Sequence, residues 1–150
     1  MILNPRYVHT NLIARDWQAL SNFYQQLFGC VPVPPERDLY GKDLEAGTAI
    51  PSAHVRGMHL RLPGHGENGP TLEIFNYNTL AESGEKAVNR PGFGHIAFAV
   101  EDVPAAQAAV LQMGGQAVGE IVTLQVATGR VTWCYVTDPE GNIIELQAWS

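Results

Sequence analysis

The sequence predicts an α+β fold in which one half-domain, ordered strand, helix and three strands (βαβββ), is used twice. Three observations carry that expectation. First, His9 and His95 stand 86 positions apart, and the same offset takes Asp16 to Asp102 and Gly29 to Gly115. A fixed offset held without a gap marks an internal repeat, and two copies mean a duplicated half rather than a solenoid. Second, period-two alternation and helical stripes follow one another in the same order in both copies. Third, each half opens on a strand histidine and closes on a strand glutamate: His9 and Glu73, then His95 and Glu145.

One hundred and fifty residues suit one compact domain over 1–150. An apolar fraction of 45% against 16% charged is ordinary for a protein with a real core. A net charge of -6, with nine Lys plus Arg, argues against nucleic acid and anionic membrane as partners. Cys30 and Cys134 make no disulfide framework, and Cys134 sits in an apolar strand pattern as an inert core thiol. The segment Met1-Ile2-Leu3-Asn4-Pro5 is too short for a secretory apolar region, and no apolar run reaches membrane-spanning length. The expected location is the cytoplasm.

The first module is expected over about 6–76. Residues 6–14 alternate, with Val8, Leu12 and Ala14 on one parity and Tyr7, His9 and Asn11 on the other. Asp16 is a good N-cap, Trp17, Leu20, Tyr24, Leu27 and Phe28 make a helical stripe, and Gly29 stops it. Prolines 32, 34, 35 and 51 break up residues 32–57, which read as a short strand or two and a mobile loop. Strands are expected at 58–62 and 71–75, joined by a glycine-rich turn from Pro63 to Pro70.

A polar linker, about 77–91, includes an expected helical turn around 81–88. The second module, about 92–149, repeats the plan. It has a strand at 93–100, Asp102 as N-cap, a stripe of Val103, Ala106, Val110 and Met113, and Gly114-Gly115 as the stop. Strands near 117–123 and 130–136, the turn Asp138-Pro139-Glu140-Gly141-Asn142 and a last strand at 143–148 complete it. His9 to Glu73 spans 64 positions and His95 to Glu145 spans 50, so the excess is expected in the proline-rich stretch and the glycine-rich turn.

The four repeated residues carry the chemistry. Val8 and Leu12 flank His9, Leu72 and Ile74 flank Glu73, Ile96 follows His95, and Ile144 and Leu146 flank Glu145. Those apolar neighbours face the helices, so the four polar side chains face the other side of the sheet. Carboxylates held there without partners cost several kcal/mol each. A divalent cation removes that cost, because two neutral imidazoles and two carboxylates balance M²⁺. Nitrogen and oxygen donors suit Zn, Ni, Co, Mn or Fe(II). A His–Glu ion pair or a solvent-facing strand residue is the plainer reading of any one of them; recurrence in both halves favours the metal.

With these residues the chain resembles the vicinal oxygen chelate superfamily, which includes glyoxalase I, methylmalonyl-CoA epimerase, extradiol dioxygenases and bleomycin- or fosfomycin-resistance proteins. The resemblance covers nearly the whole chain. It rests on His9 with Asp16 and Phe23-Tyr24-Gln25-Gln26-Leu27-Phe28-Gly29, on Leu72-Glu73-Ile74, on Gly94-His95-Ile96-Ala97-Phe98, and on Asp138 through Leu146. It implies two modules whose mixed sheets curl around a metal-centred cavity, with one divalent ion on His9, Glu73, His95 and Glu145.

Within the superfamily, dioxygenases and fosfomycin transferases use three ligands, matching His9, His95 and Glu145, while glyoxalase I-like enzymes add a fourth at the position of Glu73. The ligand set therefore leans to metal-assisted proton transfer by a lyase or isomerase. Its substrate would be a small oxygen-chelating molecule such as a hemithioacetal or acyl thioester, and Glu145, by resemblance, would be the base. Residues 35–63 do not match glyoxalase I. Arg37, Arg56, Arg61 and Arg90 are candidates for binding substrate carboxylates. His54 and His65 read as loop residues. His59 and Tyr135 suit the alternative of an Fe(II) extradiol-type dioxygenase, and Trp133 reads as wall or core. A metal-free binding or resistance protein is the third reading. The resemblance also implies a homodimer.

Overall fold

The structure, a computed structural model, describes residues 1 and 3–150. Ile2, within the amino-terminal segment read above as too short for a signal, lies outside the described residues. Among the described residues the chain forms eight strands and three helices, and divides into two compact units, Met1–Glu82 and Ser83–Ser150. The division falls inside the polar stretch 77–91.

The first unit contains β1 (His9–Ile13), α1 (Trp17–Phe28), β2 (Val31–Tyr40), α2 (Lys42–Thr48), β3 (His54–Arg61) and β4 (Thr71–Tyr77). Its four-stranded sheet runs β1-β4-β3-β2, with β1 parallel to β4 and the other pairs antiparallel. The Asp16 carboxylate accepts from the Ala19 N–H at 2.9 Å and starts α1; Gly29 closes it in a left-handed conformation. Leu20, Phe23 and Tyr24 are almost fully buried, and so are Leu60, Leu72 and Ile74 on the strands that α1 packs against. Each such side chain contributes about 1.5–3 kcal/mol by leaving water. The opposite parity of the same strands carries Asn11, His59 and Glu73.

The second unit contains β5 (Ile96–Ala99), α3 (Val103–Gln112), β6 (Gln116–Val126), β7 (Gly129–Thr137) and β8 (Ile143–Trp149), with sheet order β5-β8-β7-β6. Asp102 caps α3 by accepting from Ala105 N–H at 2.9 Å. Cys134, Val136, Ile144 and Leu146 are fully buried, with Val103 and Val110 from the helix beside them. The duplicated βαβββ plan is therefore present in two open mixed sheets.

The structure departs from the sequence expectation in several places. Prolines 32, 34 and 35 lie inside one ten-residue strand, longer than the short strand or two expected there. β2 is the edge of its sheet, so a missing N–H on its outer side breaks no ladder. Residues 42–48, read as mobile loop, form α2, which has no buried residue and carries Asp43 and Glu45 in its first turn, where acidic charge favours the helix N-terminus. The helical turn expected at 81–88 is absent. Gly84 interrupts that polar run, and it holds instead a turn in which Arg90 N–H donates to Ala87. Lastly, α3 ends at Gln112, earlier than the offset from Gly29 implies, yet the expected glycine pair still closes it: Gly114 is left-handed and the Gly115 N–H donates to the Val110 carbonyl at 3.0 Å. A Cβ on Gly115 would also stand 2.2 Å from the Thr137 carbonyl.

The excess length of the first unit lies where expected, in the β2–β3 connection with α2 and in the β3–β4 turn. Among the described residues no helix is long and apolar enough to cross a membrane.

Candidate functional site

In the first unit the strand ladders set the site. Glu73 on β4 lies directly across from Asn11 on β1 and from His59 on β3. His9 pairs with Thr71, two residues before Glu73. Period-two alternation therefore puts His9, Asn11, His59, Thr71 and Glu73 on the sheet face away from α1. Asn11 Nδ2 donates to Glu73 Oε1 at 2.7 Å. His59 Nε2 lies 2.8 Å from Glu73 Oε2, and His9 Nε2 lies 3.8 Å from Oε1. His59 Nδ1 meets Thr71 Oγ1 at 3.2 Å. Burial pushes the His59 imidazole below its ordinary value; Glu73 opposes that shift, while Arg37 and His9 reinforce it. The ring is then neutral at pH 7, the form that ligates metals.

In the second unit Glu145 on β8 pairs with Ala97 on β5 and with Tyr135 on β7. His95 sits just before β5 rather than inside a strand at 93–100, which shortens the expected strand. Its Nε2 still reaches Glu145 Oε2 at 3.0 Å. The Tyr135 ring packs against His95, with centroids 5.1 Å apart, and Trp133 packs edge-on against Tyr135.

The sequence-predicted residues thus meet as one His/Glu pair in each unit, His9 with Glu73 and His95 with Glu145. His59 and Asn11 join the first pair. The alternation of His59 with Leu60 pointed to the correct face, but nothing local placed it against Glu73. The ligand atoms of His9, His59 and Glu73 all lie within 4.8 Å of one another. Two imidazole nitrogens and a carboxylate oxygen at that spacing fit a divalent transition metal.

The arginines divide. Arg37 acts electrostatically on His59 and lies across from Gly57 on the same face. Arg56 has the opposite parity and pairs with Asp38 at 3.7 Å. Arg61 shares the parity of His59. Arg90 is committed to the carbonyls of Gly84 and Glu85. His54, expected in a loop, is the first residue of β3 and bonds Asp38, while His65 is exposed in the glycine-rich turn. Both thiols are buried and unpaired with each other; burial pushes Cys30 up to about 11 and raises Cys134.

The sequence matches the model of the Glyoxalase/Bleomycin resistance protein/Dioxygenase superfamily over residues 6–146. Among solved structures, a glyoxalase family protein from Bacillus cereus is 20% identical with a TM-score of 0.76, over 99% of this chain and 95% of its own. The genomically encoded fosfomycin resistance protein FosX from Listeria monocytogenes is 18% identical with a TM-score of 0.57, over 100% and 94%. A virulence protein from Salmonella typhimurium is 19% identical with a TM-score of 0.56, over 100% of both chains. At these identities the likeness is one of fold. No curated protein matches the chain. With the match spanning nearly every element from β1 to β8, the chain belongs to the Glyoxalase/Bleomycin resistance protein/Dioxygenase superfamily.

Proposed function

We propose that the chain is a divalent-metal-dependent enzyme that moves a proton on a small substrate with two neighbouring oxygens, such as a hemithioacetal or acyl thioester. His9 and Glu73 in the first unit and His95 and Glu145 in the second are the metal residues of this reading, with Ni, Co, Zn, Mn or Fe as the ion. The observation that carries it is the recurrence of a His/Glu pair at corresponding positions of the two units, with the donor atoms of His9, His59 and Glu73 within 4.8 Å. Such an ion, when bound, acts as a Lewis acid toward the substrate oxygens.

The chain's own residues divide the remaining work. Glu73 is held from two sides by Asn11 and His59, which suits a fixed carboxylate. Glu145 has Ala97 on the neighbouring strand, a side chain that donates nothing, and His95 at 3.0 Å. A carboxylate so placed is freer to take a proton from carbon and return it to the adjacent carbon, the role of a general base and acid. The Tyr135 and Trp133 rings supply an apolar surface beside it. The reading includes a cytoplasmic homodimer and a single functional domain over 1–150.

A second reading, ring cleavage by an Fe(II) extradiol-type dioxygenase, is favoured by one observation: His59 and Tyr135 occupy corresponding rungs in the two units, each across from its own glutamate. Elemental analysis of untagged protein purified without chelator separates these readings, with His9→Ala/His95→Ala as control. Near-stoichiometric Ni, Co, Zn or Mn, lost in the control, is the expected result. Stoichiometric iron would move catechols to the front. No metal, and no uptake on reconstitution, would overturn the enzyme reading and leave a metal-free small-molecule binding protein.

A further inference from the structure

We infer that the glutamate face of the second unit is a subsite for a planar aromatic group bearing a hydrogen-bond acceptor, with Trp133 and Tyr135 as the stacking surface and Gln147 as the orienting donor. The inference rests on the reading above in taking Glu145 as the reacting group. It names the part of the substrate that does not react, an aryl group carried by the hemithioacetal or acyl thioester. Alternation along β8 puts Glu145, Gln147 and Trp149 on one side, and the ladder sets Tyr135 across from Glu145 and Trp133 across from Gln147. Val118 and Val122 of β6 pair with Tyr135 and Trp133 and extend the apolar surface by one strand.

The rings form a stepped row that leads to the carboxylate. Trp133 and Tyr135 have centroids 5.1 Å apart and planes at 71°, and Tyr135 and His95 stand 5.1 Å apart at 57°. In an edge-to-face contact one ring keeps both of its π faces free of the other, and a flat ring is the group that fits a free π face best. Trp133 and Tyr135 are half-buried, so the surface is held by its neighbours and still reached from solvent. The first unit closes the matching place with its own ring. Phe75, where the second unit has Gln147, lies over Gly57, whose Cβ would stand 2.3 Å from Phe75 Cδ1, and packs against His59.

The polar atoms left over on this face say what the flat group carries. Trp149 Nε1 donates to Gln147 Oε1 at 2.6 Å. An indole N–H can only donate, so the amide oxygen faces it and Gln147 Nε2 keeps two N–H donors for another partner. Gln147 Nε2, the Tyr135 hydroxyl and the Trp133 indole N–H meet no acceptor among the described residues. Polar atoms of half-buried side chains take water or a ligand where the protein offers no partner. The surplus is therefore one of donors, next to a surface built for a flat ring and beside a carboxylate. A ketone, amide or ring nitrogen in the plane of an aromatic ring meets all three conditions: it stacks, it accepts, and it brings no negative charge to Glu145.

Proton–nitrogen NMR of the full chain, without added metal, tests this. Trp17, Trp133 and Trp149 each give one indole N–H resonance, assigned by Trp→Phe variants. Acetophenone, a ring with an acceptor, should shift the Trp133 and Trp149 resonances saturably and leave that of Trp17 in place. Cyclohexyl methyl ketone, the same acceptor without a flat ring, and toluene, a ring without an acceptor, should each bind about 3–10-fold more weakly. Gln147→Leu should lower the affinity for acetophenone to that for toluene. A Trp133 resonance that none of the probes moves would overturn the inference. So would cyclohexyl methyl ketone binding as well as acetophenone, or wild-type affinity for acetophenone in Gln147→Leu. If Gln147→Leu does not fold, the comparison of the three probes on wild type decides. A Trp133 resonance that moves on dilution of the protein but not with the probes would put a second copy of the chain on this face and overturn the inference. No probe has two neighbouring oxygens, so these failures leave the metal-dependent reading standing. A chain that takes up no metal yet shifts Trp133 with acetophenone sinks that reading and keeps the aromatic subsite.

Discussion

The two units use one ladder and fill it differently. The rung beside the strand glutamate holds Asn11 in the first unit and Ala97 in the second. The rung on its other side holds His59 and Tyr135. Two residues before the glutamate stand Thr71 and Ile143, and two residues before His59 and Tyr135 stand Gly57 and Trp133. The first unit thus surrounds its glutamate with donors and imidazoles. The second surrounds its own with a methyl group, one imidazole and two aromatic rings. Duplication preserved the backbone and the His/Glu pair, and the neighbours were free to diverge. Pair identity alone therefore does not assign a role; the neighbouring rungs do.

The largest expected effect tests that division directly. Glu145→Gln keeps the side chain's size and removes its capacity as a base. Turnover of a hemithioacetal or acyl thioester should fall by about 10²–10⁴-fold while part of the metal content is retained. Glu73→Gln should act the other way, chiefly lowering metal content. The reverse pattern, with Glu145→Gln losing metal and Glu73→Gln losing only turnover, would exchange the two roles.

A structural contrast comes next in size. Gly57 and Trp133 hold corresponding rungs in the two units, yet a Cβ at Gly57 would lie 2.1 Å from the Ile74 carbonyl oxygen and 2.3 Å from Phe75 Cδ1. Backbone cannot yield as a flexible side chain does, so Gly57→Ala should destabilise by about 3 kcal/mol or more. The urea midpoint should drop with an unchanged slope. A wild-type midpoint would mean that the chains at Gly57 do not approach so closely and that the rung is equivalent in the two units.

The duplicated order and both helix starts were legible because they rest on local chemistry: alternation, a cap at Asp16 or Asp102, a stripe of apolar residues. The faces were legible too, since parity put His9, Glu73 and Glu145 opposite the buried Leu72, Ile74, Ile144 and Leu146. His59 was legible as a face and not as a neighbour of Glu73, because that pairing depends on the register of β3 against β4 across the Pro63–Pro70 turn. β2 was hidden by its prolines, which are tolerated only because the strand is an edge, a fact of sheet order rather than of sequence. α2 was hidden because it buries nothing and so leaves no stripe.

The smallest expected effect lies on the opposite face of the sheets, where one rung again differs. In the first unit Asp38 pairs with Arg56 and bonds His54; in the second the corresponding residues are Thr123 and Thr132, whose hydroxyls meet at 2.8 Å. The His54 hydrogen bond, with help from Arg56, holds the Asp38 carboxyl below its ordinary value. A depressed carboxylate stabilises the fold above the unfolded value, about 3.9, and that contribution is lost as pH falls through the lower folded value. The group is exposed, so solvent screens it and the contribution is small. Asp38→Asn should therefore lower the thermal midpoint slightly at pH 7, and the gap from wild type should close as pH falls below the folded value. Thr123→Val removes a bond between groups that do not titrate, so its effect should be the same at both ends of that range. A gap for Asp38→Asn that persists unchanged in acid would show that the carboxyl serves the fold by its shape and hydrogen bonds rather than by its charge, as the threonines do.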